Sequence, residues 1–240
     1  MIMKILIVND DGYNSKYLHT LVKVLSEYGE CYIMAPYHQQ SGKSHGITLH
    51  QELEFESIEI PFAIKATKLN ALPADCTKMG ILYYKEDFDL VVSGVNNGPN
   101  LGYDNLYSGT VSSALEGVIN GYKSIAFSTD FDNENDLENN IKKSYEYIIK
   151  NNLLSNEYLL NVNFPIKEYE KAKGIKVTNL DKHAFYTTLE ERPNNKLIYK
   201  GFFLDDTKDK NSDIYNYLKG YITISPILVD RTNYEVLSKH

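Results

Sequence analysis

Tryptophan is absent from this 240-residue chain, and cysteine occurs only twice, at Cys31 and Cys76. Two cysteines without paired-ligand spacing make neither a disulfide framework nor a thiolate zinc site, and they are expected as buried, inert thiols. No stretch approaches the roughly 20 apolar residues that a membrane-spanning helix requires. The opening Met1-Ile2-Met3-Lys4-Ile5-Leu6-Ile7-Val8 is too short an apolar run for a secretory signal, and acidic residues follow at once. A cytoplasmic protein with no membrane partner is expected. Basic residues are in deficit, 25 Lys and Arg against 32 Asp and Glu, for a net charge of −7. That argues against binding a nucleic-acid polymer, which needs clustered Lys and Arg. Any anionic ligand must therefore be attracted locally, by a bound cation or a helix N-terminus. Internal repeats and low-complexity segments are lacking too.

What is present is ordinary globular usage, 42% hydrophobic and 24% charged. The length fits one large α/β domain or a domain with an appendage. Residues 4–8 form a β-branched run that stops abruptly at Asn9-Asp10-Asp11-Gly12, which reads as a buried parallel strand meeting a polar turn. Leu18, Leu21, Leu25 and Tyr28 make a helical stripe after Ser15, with Gly29 as the stop. A second strand at 31–35, closed by Pro36, completes a βαβ unit, so the first two strands should be parallel. Further strands are expected at 88–92, 124–128, 158–163 and 174–178. Helices are expected from Pro73 to Leu82, from Ser108 to about Asn120, and through Ile149. From about 181 the character changes to alternating Tyr, Phe and Thr. Residues 1–180 are thus read as a Rossmann-like α/β core, and 181–240 as a β-hairpin or arm used for oligomer contacts.

In an open parallel sheet, ligands bind beyond the C-terminal ends of the strands. Three polar loops follow successive strands here: Asn9-Asp10-Asp11, the loop containing Ser41, and Asn96-Asn97. Adjacent aspartates raise one another's pKa unless a cation relieves them, and carboxylate, hydroxyl and amide oxygens together suit Mg²⁺ or Mn²⁺ rather than zinc. The same residues also read as a helix cap and an Asp-Gly turn. Ser108-Gly109-Thr110 at a helix start is either an anion cradle or an ordinary N-cap. Ser41-Gly42-Lys43-Ser44 lacks the two-glycine Walker spacing, and no Gly-x-Gly-x-x-Gly follows the first strand, so neither an ATPase nor a dinucleotide-binding reading holds. His38 and His45 are either general acids or solvated loop residues.

Val8-Asn9-Asp10-Asp11-Gly12, Ser41-Gly42, Pro73-Ala74-Asp75-Cys76, Ser93-Gly94-Val95-Asn96 and Tyr107-Ser108-Gly109-Thr110-Val111 resemble, in order and spacing, the SurE (survival protein E) family of nucleotidases. Gly220 to Pro226 and Asp230-x-Thr232 are similar to that family's closing segment, so the resemblance covers nearly the whole chain. It implies a Rossmann-like three-layer α/β phosphatase with one divalent ion, Mg²⁺ or Mn²⁺, held by Asp10, Asp11, Ser41 and Asn96. Asn9, Ser108, Gly109 and Thr110 match positions that hold the phosphate, and Asp10, Asn9 and Ser108 are the implied catalytic set. Substrates are expected to be nucleoside 5′- and often 3′-monophosphates, and the assembly a homodimer or homotetramer with an exchanged C-terminal segment. Two departures stand out: His38-Gln39-Gln40 where the family usually carries Arg-Asn-Arg, and Leu72 in place of Thr. The rival enzyme reading, a covalent aspartyl-phosphate phosphatase, expects two aspartates one residue apart, whereas Asp10 and Asp11 are adjacent. The third is a nucleotide-binding sensor without turnover.

Overall fold

Alternate residues of the first strand, β1 (Lys4–Val8), face opposite ways: Ile5 and Ile7 join one hydrophobic cluster, Leu6 and Val8 another, and all four are fully buried. A strand buried on both faces must be covered on both, and that requirement fixes three layers. The structure, a computed structural model, describes residues 2–182, 185–203 and 207–239.

The chain continues through α1 (Lys16–Leu25), β2 (Glu30–Pro36), β3 (Phe55–Ile58), β4 (Ala63–Leu69), α2 (Pro73–Tyr84) and β5 (Leu90–Asn97). A 3₁₀ turn at Gly102–Tyr107 leads into α3 (Gly109–Ile119), β6 (Ser124–Thr129), α4 (Leu137–Lys150), β7 (Tyr158–Asn163) and β8 (Ile175–Val177). Then come β9 (Phe185–Arg192), β10 (Lys196–Phe203), α5 (Asp213–Leu218), β11 (Ile222–Leu228) and α6 (Tyr234–Leu237). Nine strands form one sheet in the order β3-β4-β2-β1-β5-β6-β7-β11-β8. From β4 to β7 all neighbours are parallel, while β3 and β11 run antiparallel to β4 and β7. Helices α1 and α4 pack together on one face, α2 and α3 on the other. The strand order reverses between β1 and β5, which is where an open sheet of this kind leaves a crevice. Among the described residues no helix is long and apolar enough to cross a membrane.

The expected elements form with adjusted limits. α1 ends at Leu25 rather than Tyr28, because the chain tightens into i→i−3 turns before Gly29. β5 runs on through Ser93-Gly94-Val95 to Asn97, with a cis Gly94–Val95 peptide and a register shift against β6. β3, β4 and α5 were not anticipated. The expected arm over 181–240 also needs redrawing. β11 lies inside the main sheet between β7 and β8, and α5 packs against β11. Only β9 and β10 form a separate two-stranded sheet. Pro226 is tolerated within β11 because β8 pairs only with Ile222–Ile224, so Pro226 lies past the end of that strand. Cys31 and Cys76 are free and buried, and burial pushes the Cys31 thiol up to about 12.

Candidate active site

Asp10 and Asp11 leave the end of β1 into different surroundings. Asp10 is buried, and its Oδ1 accepts a hydrogen bond from the Thr110 hydroxyl at the start of α3. Gly109 packs directly against it: a Cβ on Gly109 would fall 2.9 Å from Asp10 Oδ2 and 3.0 Å from Pro73 Cγ, so no side chain fits there. Asp11 Oδ2 accepts from the Asn97 backbone N–H at 2.9 Å, and its Oδ1 accepts from Gln39 Nε2 at 3.3 Å. The same Gln39 nitrogen donates to Ser41 Oγ at 3.0 Å. Gln40 N–H donates to the Asp10 carbonyl at 2.7 Å, tying the Ser41 loop to the end of β1. Asn96, near the end of β5, gives its amide nitrogen to Gly98 O at 2.7 Å, so its oxygen is the remaining acceptor.

The result is a cleft of about 290 Å³ lined by Asp10, Ser41, Asn96 and Ser108, together with Asn97, Asn100, Tyr107 and Phe131. Ser108 caps α3 by accepting from Val111 N–H at 3.1 Å. Asp11 lies beside the cleft rather than in its wall. Asn9 does not line it: it is fully buried, and its amide nitrogen donates to Gly12 O at 2.9 Å. Its Oδ1 has no partner among the described residues. Gly109 and Thr110 lie behind Asp10. His38 and His45 are not in the cleft wall, and His45 Nε2 pairs with Glu116 Oε2 at 2.9 Å.

Burial pushes the Asp10 carboxyl up to about 6, the Asp11 charge pushes the same way, and the Thr110 hydroxyl and amide oppose them. Asp11 is raised by burial as well, less the effect of the Asn97 N–H and the Gln39 amide. One carboxylate, Asp10, thus lines the cleft and a second, Asp11, lies beside it, with no Lys or Arg in the cleft wall among the described residues. No three of His, Cys, Asp and Glu cluster as a metal site among the described residues. A cation here would have two carboxylates and otherwise neutral oxygens. Sequence reasoning did not single out Gln39 or Phe131 as site residues. Gln39 was visible only as a departure from a family pattern, and Phe131 carries no motif.

The family model described as "Survival protein SurE" matches residues 5–187. The "5'-nucleotidase SurE" of Clostridium beijerinckii is 36% identical, covering 98% of this chain and 97% of its own. The "5'-nucleotidase SurE" of Petrotoga mobilis is 38% identical, covering 99% and 97%. Among solved structures, the SurE protein from Aquifex aeolicus superposes with a TM-score of 0.82 at 36% identity, over 98% of this chain and 97% of that one.

Proposed function

The chain belongs to the SurE family, and on that premise we propose that it hydrolyses nucleoside 5′-monophosphates, and 3′-monophosphates as well, to nucleoside and phosphate. The reaction uses one divalent ion per subunit, Mg²⁺ or Mn²⁺, held by Asp10, Asp11, Ser41 and Asn96. The observation that carries this reading is the meeting of the β1 end, the Ser41 loop, the β5 end and the start of α3 at one cleft.

These residues fit a hard cation. All four donors are oxygens, which Mg²⁺ and Mn²⁺ prefer. A single Gln39 amide nitrogen bridges Asp11 and Ser41, so both oxygens already turn toward one donor. When bound, such an ion polarises phosphoryl oxygens and lowers the pKa of a water molecule. The rest falls to the chain itself. Ser108, Gly109 and Thr110 offer the first turn of α3, whose amides have no intrahelical acceptor, to an anionic phosphate. Those donors stabilise the charge that builds on the equatorial oxygens during transfer. Thr110 also orients Asp10. Asn9 gives one N–H of its amide to Gly12 O and so supports the turn that presents the two aspartates, and its second N–H is the donor we assign to the phosphate.

Phosphate release from AMP should require Mn²⁺ or Mg²⁺, cease in EDTA and return on adding metal. Full activity in excess chelator, with no metal retained by elemental analysis, would overturn the reading. We place the enzyme in the cytoplasm as a homodimer or homotetramer.

A further inference from the structure

We propose that Phe131 is the platform on which the nucleobase stacks, an inference that rests on the nucleotidase reading and extends it to how substrate is selected. Phe131 follows β6 and lines the same cleft as Asp10, Ser41 and Ser108, yet it is 50% exposed. An aromatic ring left half in water beside a polar site contributes little to the core and is available to a ligand.

Its position is fixed rather than loose. Phe131 N–H donates to Asp130 Oδ1 at 2.8 Å, and Asp130 Oδ2 accepts from Lys167 N–H at 3.0 Å. Asp132 N–H donates to Asn97 Oδ1 at 2.8 Å, and Asn97 Nδ2 returns a bond to Asp132 Oδ1 at 3.2 Å. This turn is therefore clamped to the residue next to Asn96. The ring itself rests on Gly98, whose φ is +132° and where an added Cβ would fall 2.6 Å from the ring. Gly98 both adopts a conformation that side chains avoid and leaves the space the ring uses. A platform ordered before the ligand arrives loses little entropy on binding.

The cleft's size points the same way. At about 290 Å³ it falls just below the range of roughly 300–1,000 Å³ for small-molecule sites, too small to enclose a whole nucleotide. Its polar floor at Asp10, Ser41, Asn96 and Ser108 suits the phosphate end, which leaves the base at the rim. There Phe131 presents its ring, with exposed Tyr107 as the second aromatic of the cleft. Stacking is tolerant, because every base has a π-face. Hydrolysis of all the common nucleoside monophosphates is therefore expected, with modest preferences among them.

The test compares AMP with ribose 5-phosphate, the same sugar phosphate without a base, in the Mn²⁺-loaded enzyme. Phe131→Ala should lower kcat/KM for AMP by about tenfold and reduce the AMP to ribose 5-phosphate preference accordingly. Phe131→Tyr should retain the preference. Phe131→Leu, which fills the space on Gly98 without a π-face, should lose it as Phe131→Ala does. A preference that survives Phe131→Ala, or that Phe131→Leu retains in full, overturns this inference and leaves the nucleotidase reading standing. A wild-type enzyme that hydrolyses neither compound defeats the nucleotidase reading itself, and the inference with it.

Discussion

Asp10 is held by opposing influences: burial and the neighbouring Asp11 disfavour its charge, while the Thr110 hydroxyl and amide favour it. Asp10→Asn keeps the Thr110 contact and removes the charge. Turnover should fall by several orders of magnitude and Mn²⁺ affinity should drop, while the metal-free protein becomes more stable at neutral pH by about 1–3 kcal/mol. Denaturant melts with and without Mn²⁺, alongside an AMP assay, check both signs. A wild-type rate in this variant would move the metal elsewhere. Asp213 is a second buried carboxylate, outside the cleft. Burial pushes it up to about 6 although three backbone N–H groups, from Gly102, Asp181 and Ile214, donate to it. A folded pKa above the roughly 3.9 of a free aspartate means that the folded state binds the proton more tightly. That contribution is complete below about pH 4 and is lost as pH rises through about 6, an effect of about 3 kcal/mol. Asp213→Asn should flatten this part of the stability profile between pH 4 and 6. An unchanged slope in urea titrations across that window would refute the assignment. At this scale the sequence is readable where a residue's meaning is local, as with the aspartate pair before Gly12. It is opaque where meaning comes from a distant partner: nothing near Phe131 announces the packing on Gly98.

Among the elements, the strands of the crevice were legible because each is an apolar run that stops at a polar cluster. β3 and β4 were not, because Lys65 and Lys68 break the apolar pattern of a strand near the sheet edge, where the outer residues meet water. β11 looked like part of an arm, since Pro226 argues against a central strand and pairing partners far back in the chain leave no local signature. The hairpin was foreseen in outline, and its physical character is now explicit. Three residues, Pro193-Asn194-Asn195, join the paired Arg192 and Lys196, and Asn194 and Asn195 both take positive φ, 65° and 55°, a conformation that Asn tolerates better than most side chains. Pairing of Leu189 with Tyr199 and of Glu191 with Leu197 puts Leu189, Leu197 and Tyr199 on one face, all exposed. The opposite face carries Glu190, bridged to Lys200 at 2.6 Å and to Arg192 at 3.1 Å. Glu191 shares the first face and exposed Ile198 the second, so the ribbon is mainly apolar on one side and mainly ion-paired on the other. The convergence of Asp10, Ser41 and Asn96 was readable from topology, because strand order brings their loops together, whereas the place of Ser108 beside them was not.

For the whole molecule, the decisive question is what that ribbon rests on. An isolated two-stranded sheet is marginal in water, and this one exposes three large apolar side chains on a single face. A neighbouring subunit is the simplest cover, and a symmetric dimer is the commonest closed arrangement. The rest of the tail differs, because β11 fills the sheet between β7 and β8 and α5 packs against β11. Two deletions should therefore behave differently. Removing 181–240 takes β11 out of the sheet, bares the edge of β7 and should give an insoluble product. Removing only 185–203 is feasible because the segment's flanks already meet: the Thr207 hydroxyl donates to the Asp181 carboxylate, so a short glycine linker can close the gap. That variant should remain folded by circular dichroism and sediment as a smaller species than the intact chain. Sedimentation at micromolar concentration decides the matter. An intact chain that is already monomeric, or a hairpin deletion that leaves the assembly unchanged, would show that the ribbon serves something other than contact between subunits.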